Sequence, residues 1–317
     1  MNETTAPAPT IERTPAAAAP VARTSRGFGR RFRNPWRKPR FLAGITWLYL
    51  AWSILPVAIA VLFSFNSGRS RSTWQGFSLQ WWTGDPFNSL WHDPVLHDAL
   101  IQSFRLSIIT MIVAVPLGTL FAIGLDRWRG RVAAGANFAM LLSFVLPEII
   151  IGVALFLFFT NLLKHVVGLG TIPQILGLVT FQISYAVIIV RARLLSIGKG
   201  YEEAAMDLGA SPTQAVRRVL MPLLYPAIFA SFVLVFADSV DDFIIVRYLS
   251  GPASSEPLSV KIYAAARASP TPAVNAAATV LLGTTLFAAL LGLLVYRIAT
   301  RGQRGGDAAK EFVSLQV

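Results

Sequence analysis

The reading of this chain turns on Tyr201–Pro222, YEEAAMDLGASPTQAVRRVLMP, a polar stretch set between two long apolar runs. Its residues predict two short helices joined at a glycine. Glu202 to Leu208 are good helix formers, and Gly209 suits the left-handed position that closes a helix. Ser211 then offers a side-chain cap, Pro212 takes the first helical position, and Gln214 completes a Ser-x-x-Gln capping box. The second helix is expected to run to about Met221 and to stop at Pro222.

Around this stretch the chain is built for lipid. Of 317 residues, 54% are hydrophobic and only 14% charged, and the mean hydropathy is +0.57. A soluble domain carries about 25% charged residues, so the apolar surplus must face something other than water. Runs of about 20 apolar residues mark membrane-spanning helices. The first is Phe41–Phe65, too long for the apolar core of a signal peptide and therefore read as a retained span. Five more follow: about Leu100–Leu125, Ala134–Phe159 interrupted at Pro147, Thr171–Val190, Pro226–Leu249 and Ala276–Tyr296. The expected fold class is therefore an all-α integral membrane protein with six transmembrane helices over residues 41–300. It is flanked by a basic tail, residues 1–40, with the composition of a disordered segment, and by a second tail, residues 301–317.

Six spans put both termini on one side, and charge says which. Nine Lys and Arg lie in the N-terminal tail, three in the Asp126–Val132 loop, five between Arg191 and Tyr225, and four in the C-terminal tail. The opposite side holds six. The positive-inside rule places both termini and the 191–225 loop in the cytoplasm. That distribution accounts for the net charge of +12 without nucleic acid, and the tail arginines are suited to anionic lipid. On the other side, the aromatic loop Asn66–Asp98 carries Trp74, Trp81, Trp82 and Trp91, expected at the membrane interface. A short helix is expected over Leu258–Arg267.

The pattern Glu203-Ala204-Ala205, three residues, Gly209, nine residues, Val219-Leu220-Met221-Pro222 resembles the EAA signature of permease subunits of ATP-binding-cassette importers. Val219 and Met221 stand where that signature has Ile and Leu. Physics agrees: Ala204 and Ala205 are small enough for a helix to enter a groove, Glu203 and Asp207 put negative charge on one face, and Gly209 allows the turn. The resemblance implies a cytoplasmic coupling helix of the MetI-like type I importer fold. Glu203, Ala204, Ala205, Asp207, Gly209, Ser211, Pro212 and Pro222 would then engage an ATPase. Over about Phe41–Arg297 the chain is similar to the polyamine (spermidine/putrescine) permeases of the PotC type. The similarity rests on Phe77-Ser78…Trp81, Pro147-Glu148-Ile149, Asp241-Asp242, Gly251-Pro252, Lys261-Ile262-Tyr263 and Val274-Asn275-Ala276. It implies a bacterial inner-membrane subunit partnered by a second homologous permease, two ATPase subunits that bind ATP and Mg, and an extracytoplasmic binding protein.

Four acidic residues fall within spans, where each charge costs on the order of 2.5–3.5 kcal/mol. Offsets of 3 and 4 place Asp238, Asp241 and Asp242 on one face of a continuous helix, together costing roughly 8–10 kcal/mol if they faced lipid. At 1.5 Å per residue, Glu148 lies at a similar depth, about 21 Å in, and Tyr185, about 21 Å from the outer side on the fourth span, is expected to add a cation–π face. Four carboxylates and an aromatic face suit a linear di- or triammonium ion. The alternative is structural pairing with Arg247, Arg105 or a partner subunit. Another organic cation, an opine or an amino-acid derivative remains open as substrate, as does a scaffold or ion-conducting protein without an ATPase. The chain has no cysteine, no phosphate-binding loop and no Ser/His/Asp grouping, so no catalytic residue is assigned. His92 and His97 lack the ligand spacing of a metal site, and no cofactor of its own is expected.

Overall fold

The computed structural model describes residues 40–70, 73–128, 130–268 and 271–314; the basic tail expected over residues 1–40 lies outside them, apart from Arg40. No strand is present among the described residues, only an isolated bridge between Asn66 and Phe77.

Helix α1, Arg40–Phe63, is apolar on all sides and exposed along nearly its whole length, as a helix solvated by lipid would be. Helix α2, Pro94–Arg127, is started by Asp93, whose carboxylate accepts from the Val95 and Leu96 amides at 2.9 and 3.4 Å. At 34 residues it is about 51 Å long, more than one bilayer core. Helix α5, Thr171–Ile197, lies against it so closely that a Cβ on Gly118 would come within 2.6 Å of the Ala186 Cβ and 3.1 Å of the Ile183 carbonyl. Helix α8, Met221–Val240, completes the packed centre: Ala114, Val115, Val179, Ala186 and Val235 from the three helices bury one another. Helix α11, Pro272–Ser314, runs unbroken past the end expected for the last span.

Two spans are broken. Helices α3, Arg131–Val145, and α4, Glu148–Leu157, meet at Leu146-Pro147 with a 107° bend, so five helices qualify as spans by length and composition, or six if the bent pair is counted as one. The cause is local. The proline lacks an amide, and its ring pushes Leu146 into an extended conformation, ψ 137°. Glu148 consequently stands in the first turn of α4, where a carboxylate is favoured by the helix dipole.

The second break corrects the sequence reading. The span expected over Pro226–Leu249 is not continuous: α8 ends at Val240, Asp241–Phe243 are non-helical, and α9 covers Ile244–Leu249. Asp241, Asp242 and Phe243 therefore do not share the helical face that their spacing implied. Aspartates compete for backbone amides and favour helix ends. Asp242 does this here, its Oδ1 accepting from the Val246 amide at 3.1 Å. α9 packs on glycines of α4 and α5: Gly152 faces Ile244 and Tyr248, and Gly177 faces Ile245 and Leu249.

The tryptophans also differ from expectation. Trp81 is 1% exposed and donates its indole N–H to the Asn66 carbonyl at 2.7 Å, and Trp82 stacks on Phe65 at 5.3 Å. Both are packing residues of the 66–98 segment, whereas Trp74 and Trp91 stay half exposed. The short helix expected at Leu258–Arg267 forms as α10, Leu258–Ala268.

Candidate functional site

Two groups of residues form at opposite ends of α8. At the start lies the polar loop. Helix α6, Gly200–Asp207, ends at Gly209, whose φ of +89° is the left-handed conformation expected of it. The Gly209 amide donates to the Met206 carbonyl at 2.9 Å and the Ala210 amide to the Ala205 carbonyl at 3.0 Å, the two bonds of a Schellman closure. Helix α7, Pro212–Ala215, opens with both halves of the capping box: the Gln214 amide donates to Ser211 Oγ at 3.3 Å, and the Ser211 amide to Gln214 Oε1 at 3.1 Å.

Pro222 does not end this helix, as the sequence suggested it would. A π-helical turn over Val216–Leu220 leads directly into α8, with Pro222 in that helix's first turn. The wider turn shifts the hydrogen-bond register where the proline has no amide to offer. The loop helix and the span are thus one rod, Pro212–Val240.

Glu203, Ala204, Asp207, Gly209, Ser211 and Pro212 are exposed, and Ala205 is half-buried. Beside them, Leu208 is 90% exposed and Tyr201 57%, an apolar surface on an otherwise polar loop. Sequence reasoning passed over both, counting Leu208 only as a helix former and giving Tyr201 no role. It also missed Glu202, which is buried and ion-paired to Arg127 at the end of α2. The signal was the cluster of basic residues in the Asp126–Val132 loop. Deeper in, Arg193 Nε donates to the Leu223 carbonyl at 3.3 Å, tying α5 to the start of α8.

At the far end of α8 the two breaks face each other. The carboxyl groups of Glu148 and Asp242 lie within hydrogen-bonding reach of each other. Asp238, half-buried, accepts from Gln182 Nε2 at 2.6 Å, and Asp238 and Tyr185 are near enough to Glu148 to interact with its charge. The structure thus brings together Glu148, Tyr185, Asp238 and Asp242, and leaves Asp241 exposed at the end of α8. Tyr185 offers less ring face than expected, since Phe144 and Phe181 pack against it at 5.3 and 5.5 Å.

The proposed structural partners are engaged elsewhere. Arg247 reaches Glu256 at 3.3 Å and Lys261 the same carboxylate at 2.6 Å. Arg105 is exposed. Among the described residues, no basic side chain pairs with any of the four spanning carboxylates. Gln182 Oε1 and Ser239 Oγ are buried without a hydrogen-bond partner. Gln182 is the member that sequence reasoning missed. The arrangement is rich in acceptors and poor in donors.

An all-α bundle of apolar helices with broken spans and a polar two-helix loop is the architecture of a multi-pass membrane permease subunit. The chain belongs to the family described as binding-protein-dependent transport system inner membrane component, whose profile matches residues 114–304. That family is one of non-enzymatic inner-membrane subunits. Among its relatives is the putrescine transport system permease protein PotI of Escherichia coli (strain K12). It is 31% identical over 278 residues, which cover 86% of this chain and 93% of the relative. The spermidine/putrescine transport system permease protein PotC of the same strain is 32% identical over 258 residues, covering 80% and 93%. Two solved structures share the fold. A bacterial transporter for the acidic polysaccharide alginate has a TM-score of 0.63 at 18% identity, over 81% of this chain and 94% of that one. The MetNI methionine transporter has 0.52 at 19%, over 65% and 94%.

Proposed function

We propose that this subunit forms half of the translocation path of an importer for polyamines, putrescine and spermidine. The other half comes from a second homologous permease. Two ATPase subunits, which bind and hydrolyse ATP with Mg, sit below it, and an extracytoplasmic binding protein delivers substrate from above. Both termini and the 191–225 loop face the cytoplasm, in keeping with the charge asymmetry.

The observation that carries the substrate reading is the meeting of Glu148, Asp238 and Asp242 at the junction of two broken spans, with no basic side chain among the described residues paired to them. Non-helical backbone at membrane depth is tolerated where it lines a polar cavity. Buried carboxylates without a cationic partner are costly, and an alkyl diammonium supplies that partner while its methylenes suit the apolar walls. The relatives named for putrescine and spermidine transport point the same way.

Coupling follows from the continuous rod. Closure of the ATPase pair on ATP would push on Glu203–Asp207 and the exposed Leu208. The motion would pass through Pro212–Val240 to the acid-bearing break, opening the path outward, and hydrolysis would reset it. Reversal of charge in Glu203→Arg, or loss of the turn in Gly209→Pro, is expected to separate ATP hydrolysis from uptake.

The test is uptake of radiolabelled putrescine and spermidine by cells carrying the complete importer. Glu148→Gln and Asp238→Asn should each lower uptake at least tenfold while the complex assembles normally. Unchanged uptake would return both carboxylates to a structural role. If neither polyamine enters nor competes with the true substrate, the polyamine reading fails, and other organic cations, opines and amino-acid derivatives are the next to assay.

A further inference from the structure

Helix α10 lies against the acid-bearing break. Ser259 Oγ donates to the Asp242 carbonyl at 2.6 Å, and the Tyr263 ring meets that of Phe243 at 4.6 Å. Ser259, Tyr263 and Arg267 are spaced four apart, so they share one face of α10, and that face is turned toward the break. Arg267 places its guanidinium carbon 4.7 Å from the Tyr263 ring centroid. The other two cations of this region, Arg247 and Lys261, are both spent on Glu256. Arg267 has no ion pair among the described residues. Among the described residues, the Tyr263 ring is the contact given for its charge.

We infer that Phe243 and Tyr263 form an aromatic station for alkylammonium ions at the mouth of the carboxylate path, and that Arg267 is a tethered cation occupying it until substrate arrives. This rests on the cation reading above and adds an entry step to it. A ring 41% exposed gives a cation–π contact that is shallow and exchangeable, as a relay requires. A diammonium that displaces Arg267 keeps one ammonium on the Tyr263 face while the other extends toward Asp241, the exposed carboxylate at the end of α8. The guanidinium, returned to water, repels a second cation from the same mouth. The competing account is that Arg267 merely complements the C-terminal dipole of α10, in whose last turn it lies.

The experiment uses the detergent-extracted importer complex without its binding protein. Its thermal transition is followed while putrescine, or tetramethylammonium as a purely cation–π probe, is titrated in. Arg267→Gln should lower the half-effective concentration of both probes two- to fivefold. Tyr263→Leu should raise it by a similar factor, and Tyr263→Phe should behave as the parent. In a Tyr263→Leu background, Arg267→Gln should have little further effect, because the ring for which the two cations compete is gone. Additive effects would show through-space repulsion only and overturn the station. So would an Arg267→Gln variant that shifts the unliganded transition but no titration midpoint, which is the signature of a helix cap. If Asp238→Asn abolishes the putrescine response while the α10 variants leave it unmoved, this inference fails and the carboxylate path stands. If the parent complex shows no putrescine response, both fail.

Discussion

The ion pair between Arg127 and Glu202 makes the sharpest test of how the loop is held. It joins the end of α2 to the first turn of α6, and its two ends are unequally wet: the Glu202 side chain is 8% exposed and that of Arg127 37%. Removing the guanidinium strands a buried carboxylate. Removing the carboxylate charge leaves a guanidinium that can rehydrate. For a fully buried pair, loss of one partner costs about 3–5 kcal/mol. Partial exposure on the arginine side screens the interaction, so Arg127→Met should cost about 3 kcal/mol by that measure. Glu202→Gln, which keeps hydrogen-bonding capacity, should cost only about 1–2 kcal/mol. At roughly 2 °C per kcal/mol for a chain of this size, the transitions should fall by roughly 6 °C and 2–4 °C respectively. The assay is thermal unfolding of the purified complex followed by intrinsic fluorescence. The double variant Arg127→Met with Glu202→Leu should recover much of the loss, since an apolar pair leaves no unpaired charge. An equal or reversed order of the single variants, or a double variant no more stable than Arg127→Met alone, would refute the reasoning.

Further predictions concern backbone positions. Gly118→Ala should lower the unfolding transition by an amount corresponding to about 1–3 kcal/mol, because its Cβ would meet the Ala186 Cβ at 2.6 Å and a carbonyl of α5 that cannot rotate away. Gly283→Ala, where nothing lies within 4 Å, serves as the matched control and should be neutral or slightly stabilising. Gly209→Val meets no neighbour within 4 Å but must adopt φ +89°, so its cost of about 1–2 kcal/mol should come from the backbone alone. Gly209→Asn should therefore be milder than Gly209→Val, as judged by ATPase-to-uptake ratios, and equal effects would argue for side-chain contact with the ATPase instead.

Local chemistry was legible in the sequence wherever it depended on neighbours in the chain. The closure at Gly209 and the Ser211–Gln214 box involve residues three to five apart, and both formed as read. The break at Pro147 was likewise a local event, because a proline removes an amide wherever it sits in a helix. Periodicity misled at Asp241 and Asp242. The 3.6-residue repeat assumes the helix persists, and the sequence does not show when an aspartate will take a backbone amide instead. It misled again at Pro222, where a π turn absorbs the missing donor. The specific pairings of Gln182 and Glu202 were illegible for a different reason. Their partners, Asp238 and Arg127, are 56 and 75 residues away, and no local pattern encodes such pairs.

The sequence alone therefore determined the apolar surplus, the number of apolar runs, the asymmetry of charge between the loops, and the local geometry of the polar loop. Each of these is a sum over composition or a short-range motif. Tertiary structure decided which carboxylates meet, that Arg247 and Lys261 are committed to Glu256, and that loop and span form one rod. Those outcomes depend on how breaks in separate helices are brought face to face, and packing between distant segments fixes that geometry.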